Sequence, residues 1–198
     1  ISMVADLKEK GYNVLATGEM GIGNTTTSSA VCSVLLDQSV EKVTGKGAGL
    51  TNKDLEHKIE VIRQSIALNK VNADDPLDVL AKVGGLDIAG MAGCYIGGAA
   101  LNIPVFIDGF ISSVAALIAI RLVPECAPYL FPSHCSNEPA GRMILDAIGK
   151  QPYILANMCL GEGSGAVMGF TIADYAFKAY WELPSFEQTN FGTYEELN

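Results

Sequence analysis

The sequence predicts an α/β protein with a parallel sheet, crossover helices and glycine-rich loops at the carboxyl ends of its strands. Three observations point there. Short apolar runs recur along the chain, each followed by a polar loop and then a helical segment, which is the order of a parallel sheet wound by crossovers. Glycine supplies 21 of the 198 residues, against a usual share of about 7%, and these glycines cluster at the run exits. The chain is 49% hydrophobic and 18% charged, apolar enough to bury one sizeable core.

The elements follow in order. Leu7 to Gly11 reads as the end of a helix. Tyr12 to Thr17 is a buried strand leading into Gly18-Glu19-Met20-Gly21-Ile22-Gly23-Asn24, and Thr25 to Leu36 is the helix behind that loop. Val43 to Leu50 forms a second glycine loop. Thr51 and Asn52 cap a helix whose apolar residues Leu55, Ile59, Ile62 and Ile66 lie at helical spacing. Asn72 to Pro76 breaks it, Leu77 to Val83 is a further helix, and the Gly/Ala-rich Asp87 to Leu101 is a closely packed one. Ile103 to Ile107 is a second strand, ending in Asp108-Gly109, and Ser112 to Leu122 is a buried helix. Tyr129 to Phe131 is a third strand exiting at Ser133-His134, and Glu138 to Ile148 a helix. Tyr153 to Ala156 is expected as a fourth strand, Gly161 to Gly165 as its exit loop and Ala166 to Trp181 as the last long helix. The predicted organisation is an α/β core domain over 1–183 and a polar tail over 184–198.

Composition excludes several function classes. Thirteen basic against 22 acidic residues leave a net charge of −9, and the pI is near 4.6. Neither a nucleic acid nor an anionic membrane is the expected partner. One small phosphorylated ligand stays compatible, because backbone N–H groups hold phosphate without net positive charge. The five cysteines are scattered and form no CxxC, which argues against zinc ribbons and redox motifs and for a reduced, cytoplasmic protein. Ile1 to Lys10 carries charge and no long apolar run, so no secretory signal is expected. Phe110 to Leu122 is the longest apolar stretch and is too short to span a bilayer.

Candidate chemistry sits at the strand exits, where such sheets bind ligands. Gly18 to Thr27 reads either as an anion-binding turn, with the N–H groups of its three glycines and with Asn24, Thr25 and Thr26 supplying donors, or as a structural turn with a helix cap. It lacks the G-K-[ST] ending of a Walker loop and matches GxGxxG poorly. Lys46, between two glycines, is either a phosphate counter-charge or a solvated surface lysine. Glu162, also between two glycines, is either a cap or a partly buried general base with a raised pKa. Glu19 holds the analogous position after the first strand, so the two carboxylates are expected to face one pocket. Asp108 suits binding a ligand hydroxyl or ordering a loop. Asp74-Asp75 reads as a helix cap and His57 as solvated. His134 and Glu138 are four apart without a third ligand, so no metal site is expected. Ser133 lacks a G-x-S-x-G elbow, against a hydrolase triad.

Six motifs occur together and in order: GEMGIGNTT (18–26), TGKGAGL (44–50), GGLDIAGMAG (84–93), DGFISSVAAL (108–117), SHCSNEPAG (133–141) and LGEGSGA (160–166). In these the chain resembles the nicotinate-nucleotide–dimethylbenzimidazole phosphoribosyltransferases over nearly its whole length. The resemblance implies a Rossmann-like parallel sheet, a homodimer, no cofactor and no metal. It implies transfer of phosphoribose from nicotinate mononucleotide to the aromatic base 5,6-dimethylbenzimidazole, giving α-ribazole 5′-phosphate and nicotinate in cobalamin biosynthesis. It implies Glu162 as the general base. For substrate binding it points to Glu19, Gly21, Asn24, Thr25 and Lys46, and further to Asp108, Gly109 and Ser133.

Family members are longer, with an N-terminal portion that supplies part of the aromatic-base pocket. That leaves a second reading, a nucleotide-binding or dimerisation core without turnover. A third is a related transferase with a different aromatic acceptor, since a difference of one or two methyl groups changes specificity by only about 1–3 kcal/mol.

Overall fold

A computed structural model describes residues 1–189. Its sheet has the order β1 (Leu15–Ala16), β2 (Val105–Ile107), β3 (Leu130–Pro132), all parallel. Val105 pairs with Leu15 on one side and Leu130 on the other. The central strand is buried at all three residues, as a strand covered on both faces must be, and this explains its unbroken apolar run. Val105 and Ile107 join the main core, while Phe106 points to the opposite face.

The fourth strand expected over Tyr153 to Ala156 does not form; one parallel bridge, His134 to Ile154, stands in its place. The N–H groups of Tyr153 and Ile154 both donate to the Ser133 carbonyl. Leu155 is then exposed and Asn157 turns the backbone with a φ of 50°, so no ladder continues. The polar and glycine-rich surroundings of YILA outweigh its local propensity.

Between β1 and β2 run α2 (Asn24–Leu36), α3 (Val40–Val43), α4 (Asn52–Asn69), α5 (Pro76–Val83) and α6 (Leu86–Ala100), with α1 (Ser2–Glu9) before β1. Between β2 and β3 lie α7 (Phe110–Leu122) and a 3-10 helix, Pro124–Tyr129. The short α3 and the 3-10 helix carry too little periodicity to be read from sequence. Helix α7 is the centre of the core, buried at every residue from Phe110 to Ala119. Thr51 caps α4 by accepting from the Asp54 N–H at 3.2 Å, and Asp75 caps α5 by accepting from the Leu77 N–H at 2.9 Å. Asp75 is therefore the cap its neighbourhood predicted.

Helix α8 (Gly141–Ala147) starts later than Glu138. Pro139 biases Glu138 away from helical backbone, and the Glu138 N–H instead donates to Ser136 Oγ at 3.3 Å. Helix α9 (Ser164–Glu182) packs on the other face of the sheet, with Phe170 edge-on to Phe106 at 4.9 Å between centroids. Only Gly165, Ala166 and Gly169 of α9 are buried. Val167, Tyr175, Tyr180 and Trp181 face outward. Pro184 to Thr189 contains no helix or strand; the rest of the predicted tail, 190–198, lies outside the described residues. Among the described residues no helix is long and apolar enough to cross a membrane.

Candidate functional site

A cavity of about 220 Å³ opens at the carboxyl ends of the strands. Its walls are Glu19 to Thr25, Gly47 with Ala48, Asp108 to Ser112, and Cys159 to Glu162, joined by His134, Ser136 and Glu138. All but Gly47 and Ala48, which lie between α3 and α4, follow β1, β2, β3 or the single bridge, so the topology gathers them.

The first wall enters α2 through Gly23, a left-handed cap residue with φ 96°. The Asn24 side-chain amide donates to the Glu19 carboxylate and, at 2.9 Å, to Asp87 Oδ2. Burial pushes the Glu19 carboxyl above the usual carboxylate range; the Asn24 hydrogen bond opposes this, and the charges of Asp87, Asp108 and Glu162 add to it. Glu19 is thus the half-buried carboxylate of the pair, while the Glu162 side chain, expected to be partly buried, is exposed at the rim.

Beneath this loop sits Lys58, 7% exposed, whose ammonium donates to Thr25 Oγ1 at 2.8 Å and to the Gly45 carbonyl at 3.0 Å. Burial lowers its pKa and the Glu138 carboxylate raises it. Lys58 escaped the sequence reading, although its spacing from Leu55 and Ile62 places it on the apolar stripe of α4. Lys46 is exposed and does not line the cavity; the two flanking glycines carry the loop past it.

The last wall is a left-handed turn. Gly161, Glu162 and Gly163 have φ of 76°, 59° and 81°. Only Glu162 bears a side chain there, in a conformation that costs an L-residue about 1–2 kcal/mol. The turn rests against the first loop: a Cβ at Gly18 would overlap the backbone of Gly163.

Asp108 accepts N–H groups from Gly163 at 3.0 Å, Gly165 at 2.8 Å and Ala166 at 3.2 Å. Gly109 caps α7 and lines the cavity. Ser133 is fully buried and outside the lining; its hydroxyl donates to the Ile107 carbonyl at 2.8 Å and lies 3.0 Å from His134 Nδ1. It ties β3 to β2 rather than facing the cavity. Burial lowers the His134 pKa, opposed by the Asp108 charge. Met20, Ile22 and Leu160 give the rim an apolar side. Among the described residues no three His, Cys, Asp or Glu side chains are grouped to hold a metal ion.

This arrangement can take an anion at the glycine-loop N–H groups, a cationic centre among the carboxylates and a flat apolar group at the rim. Comparison with known proteins points the same way. A phosphoribosyltransferase family model matches residues 1–191. The nicotinate-nucleotide–dimethylbenzimidazole phosphoribosyltransferase of Ruminiclostridium cellulolyticum is 54% identical over 197 residues, covering 100% of this chain and 56% of its own. The protein of the same name from Acetivibrio thermocellus is 49% identical over 195 residues, covering 98% of this chain and 56% of its own. The crystal structure of CobT from Thermus thermophilus superposes with a TM-score of 0.90 at 32% identity, over 96% of this chain and 57% of that one. The chain spans about half the length of the curated relatives it matches, 56% for each of these two. It belongs to the phosphoribosyltransferase family that this model describes.

Proposed function

We propose that the chain carries out transfer of phosphoribose from nicotinate mononucleotide to 5,6-dimethylbenzimidazole, as its relatives' names state of them. The carrying observation is the joining of the GEMGIGN and LGEGSG loops, backbone to backbone, around one carboxylate-lined cavity. In the nucleotide the nicotinate ring nitrogen is cationic, so the C1′–N bond breaks with its electron pair returning to a neutral pyridine. No pyrophosphate leaves. A benzimidazole ring nitrogen forms the new bond to C1′ from the opposite face, and the other ring nitrogen gives up its proton to the Glu162 carboxylate. Glu19 and Glu162 complement the positive charge that develops on the sugar.

The glycine-loop N–H groups of Gly21 and its neighbours hold the 5′-phosphate, with Thr25 and the buried Lys58 ammonium directly behind. Met20, Ile22 and Leu160 offer the apolar surface for the aromatic base. The same proposal includes a cytoplasmic homodimer without a cofactor. Support for the dimer is the resemblance and the outward apolar face of α9; sedimentation of the full chain checks it.

The test incubates the chain with nicotinate mononucleotide and dimethylbenzimidazole and quantifies nicotinate and α-ribazole phosphate by chromatography. Glu162→Gln keeps the shape and removes the acceptor, so product formation is expected to fall by about 10²–10⁴-fold. Near-normal turnover would refute Glu162 as the base. Nucleotide binding without product would leave a half-site only.

A further inference from the structure

Helix α9 lacks the usual means of fixing its own start. Its cap residue is Gly163, no side chain caps it from within, and its first turn holds no acidic residue. The first four N–H groups of a helix have no partner inside it. Three of those at this end, counting the cap, are instead taken by one carboxylate from another strand exit, at 2.8–3.2 Å. That carboxylate belongs to Asp108, 2% exposed at the end of β2. Its two oxygens are divided, Oδ2 to Gly163 and Oδ1 to Gly165 and Ala166. The fit is tight, because a Cβ at Gly165 would overlap His134 Nδ1 and come within 2.8 Å of Asp108 Oδ1.

We propose that Asp108 is a positioning residue: by holding the start of α9 it holds the left-handed turn that carries Glu162, and it does not bind substrate itself. The turn's other ties are the Ser164 hydroxyl and N–H, both donating to the Gly161 carbonyl, and the close approach of Gly163 to Gly18. The three residues that α9 buries, Gly165, Ala166 and Gly169, lie in its first two turns and are all small, so little side-chain packing anchors the helix start. The turn also carries the strained Glu162 backbone, which persists only where its surroundings over-determine it. A carboxylate on helix N–H groups is a charge-assisted cap, stronger than a neutral one. The role assigned to Glu162 rests on the function proposed above; the contact between Asp108 and α9 does not.

The experiment compares the full chain with Asp108→Asn by NMR amide exchange, nucleotide calorimetry and steady-state kinetics. In the unaltered chain the Gly165 and Ala166 amides are expected to be protected, although no intrahelical bond covers them. In Asp108→Asn that protection should fall at least about tenfold, while α7 amides from Val114 to Ala119 change less than about twofold. Affinity for nicotinate mononucleotide should stay within about threefold, and kcat should fall at least about tenfold with little change in KM.

Unprotected Gly165 and Ala166 amides in the unaltered chain would overturn the proposal. So would an Asp108→Asn chain that keeps their protection and loses nucleotide affinity about tenfold, which would make Asp108 a ligand group. If Asp108→Asn does not fold, Gly165→Ala decides, since it displaces the helix start and leaves the carboxylate intact. It should reproduce the local exchange and the kcat loss, and unchanged exchange and kcat would overturn the proposal. If no chain forms product, the transfer reading fails, and exchange with calorimetry still settles whether Asp108 holds the turn.

Discussion

The first and last loops of the site use the same backbone device and secure it differently. Both enter a helix through a left-handed glycine without a side-chain cap, Gly23 for α2 and Gly163 for α9. The first loop is held both from within and from α6. Asn24, the first residue of its helix, bonds Glu19 and Asp87, and seven α2 residues are buried. The last loop is held from a distance by Asp108, and its helix buries three residues. The two also divide the electrostatics: Glu19 is half-buried with a raised pKa, whereas Glu162 is exposed on a strained backbone. Two similar glycine motifs thus serve distinct ends, one a cradle tied to buried packing and one a mount for the proposed base.

The largest expected effect comes from separating the loops. Gly18→Ala would force a methyl into the Gly163 backbone; overpacking of this kind costs about 1–3 kcal/mol, and turnover should fall at least about a hundredfold because a displacement near 1 Å suffices for that. Chemical denaturation and the product assay check both.

Next comes the support under the first loop alone. Lys58→Met removes bonds to Thr25 and Gly45. A hydrogen bond to a charged group is worth about 1.5–3 kcal/mol, so calorimetry should show nucleotide affinity lowered by about 10–100-fold.

Glu19→Gln tests the electrostatic half of the comparison. Glutamine still accepts from Asn24 and cannot ionise. Because the folded Glu19 carboxyl lies above its unfolded value of 4.5, the native state binds more protons there, and stability falls as pH rises from 4.5 through the folded pKa. His134, lowered below 6.5, acts oppositely, its share being lost as pH falls from 6.5 through the folded value. Subtracting the variant's stability curve from the parent's removes the His134 part. The variant's advantage should grow across the Glu19 window; a flat difference would contradict the burial argument.

The smallest effect on stability is expected from Glu162→Gly. It relieves the φ of 59° and should stabilise the fold by about 0.5–1 kcal/mol, measurable as a shift in denaturation midpoint, while turnover is lost.

The sequence made some of this visible and hid the rest for physical reasons. Helix α4 follows from local periodicity, α2 from its place behind the first glycine loop, α6 from its Gly/Ala richness, α7 from its apolar run, and Asp75 from capping chemistry. The cavity walls were legible because polar glycine loops interrupt an apolar chain where strands end in this topology. The fourth strand failed because one bridge is not a ladder. Lys46 and Ser133 have the right residue types, yet one faces solvent and the other commits its hydroxyl to Ile107. Asp108 was legible as a residue suited to ordering a loop and Lys58 as a position on the apolar stripe of α4, but their partners lie 13 to 58 residues away, and nothing local names them.

Two loops far apart in sequence are proposed to make one nucleotide site. NMR titration of the chain with nicotinate mononucleotide tests it most directly. Amides of Gly21 to Thr25 and of Gly161 to Gly163 are expected to shift together, following one binding curve. Shifts confined to one loop, or two curves with different midpoints, would contradict it.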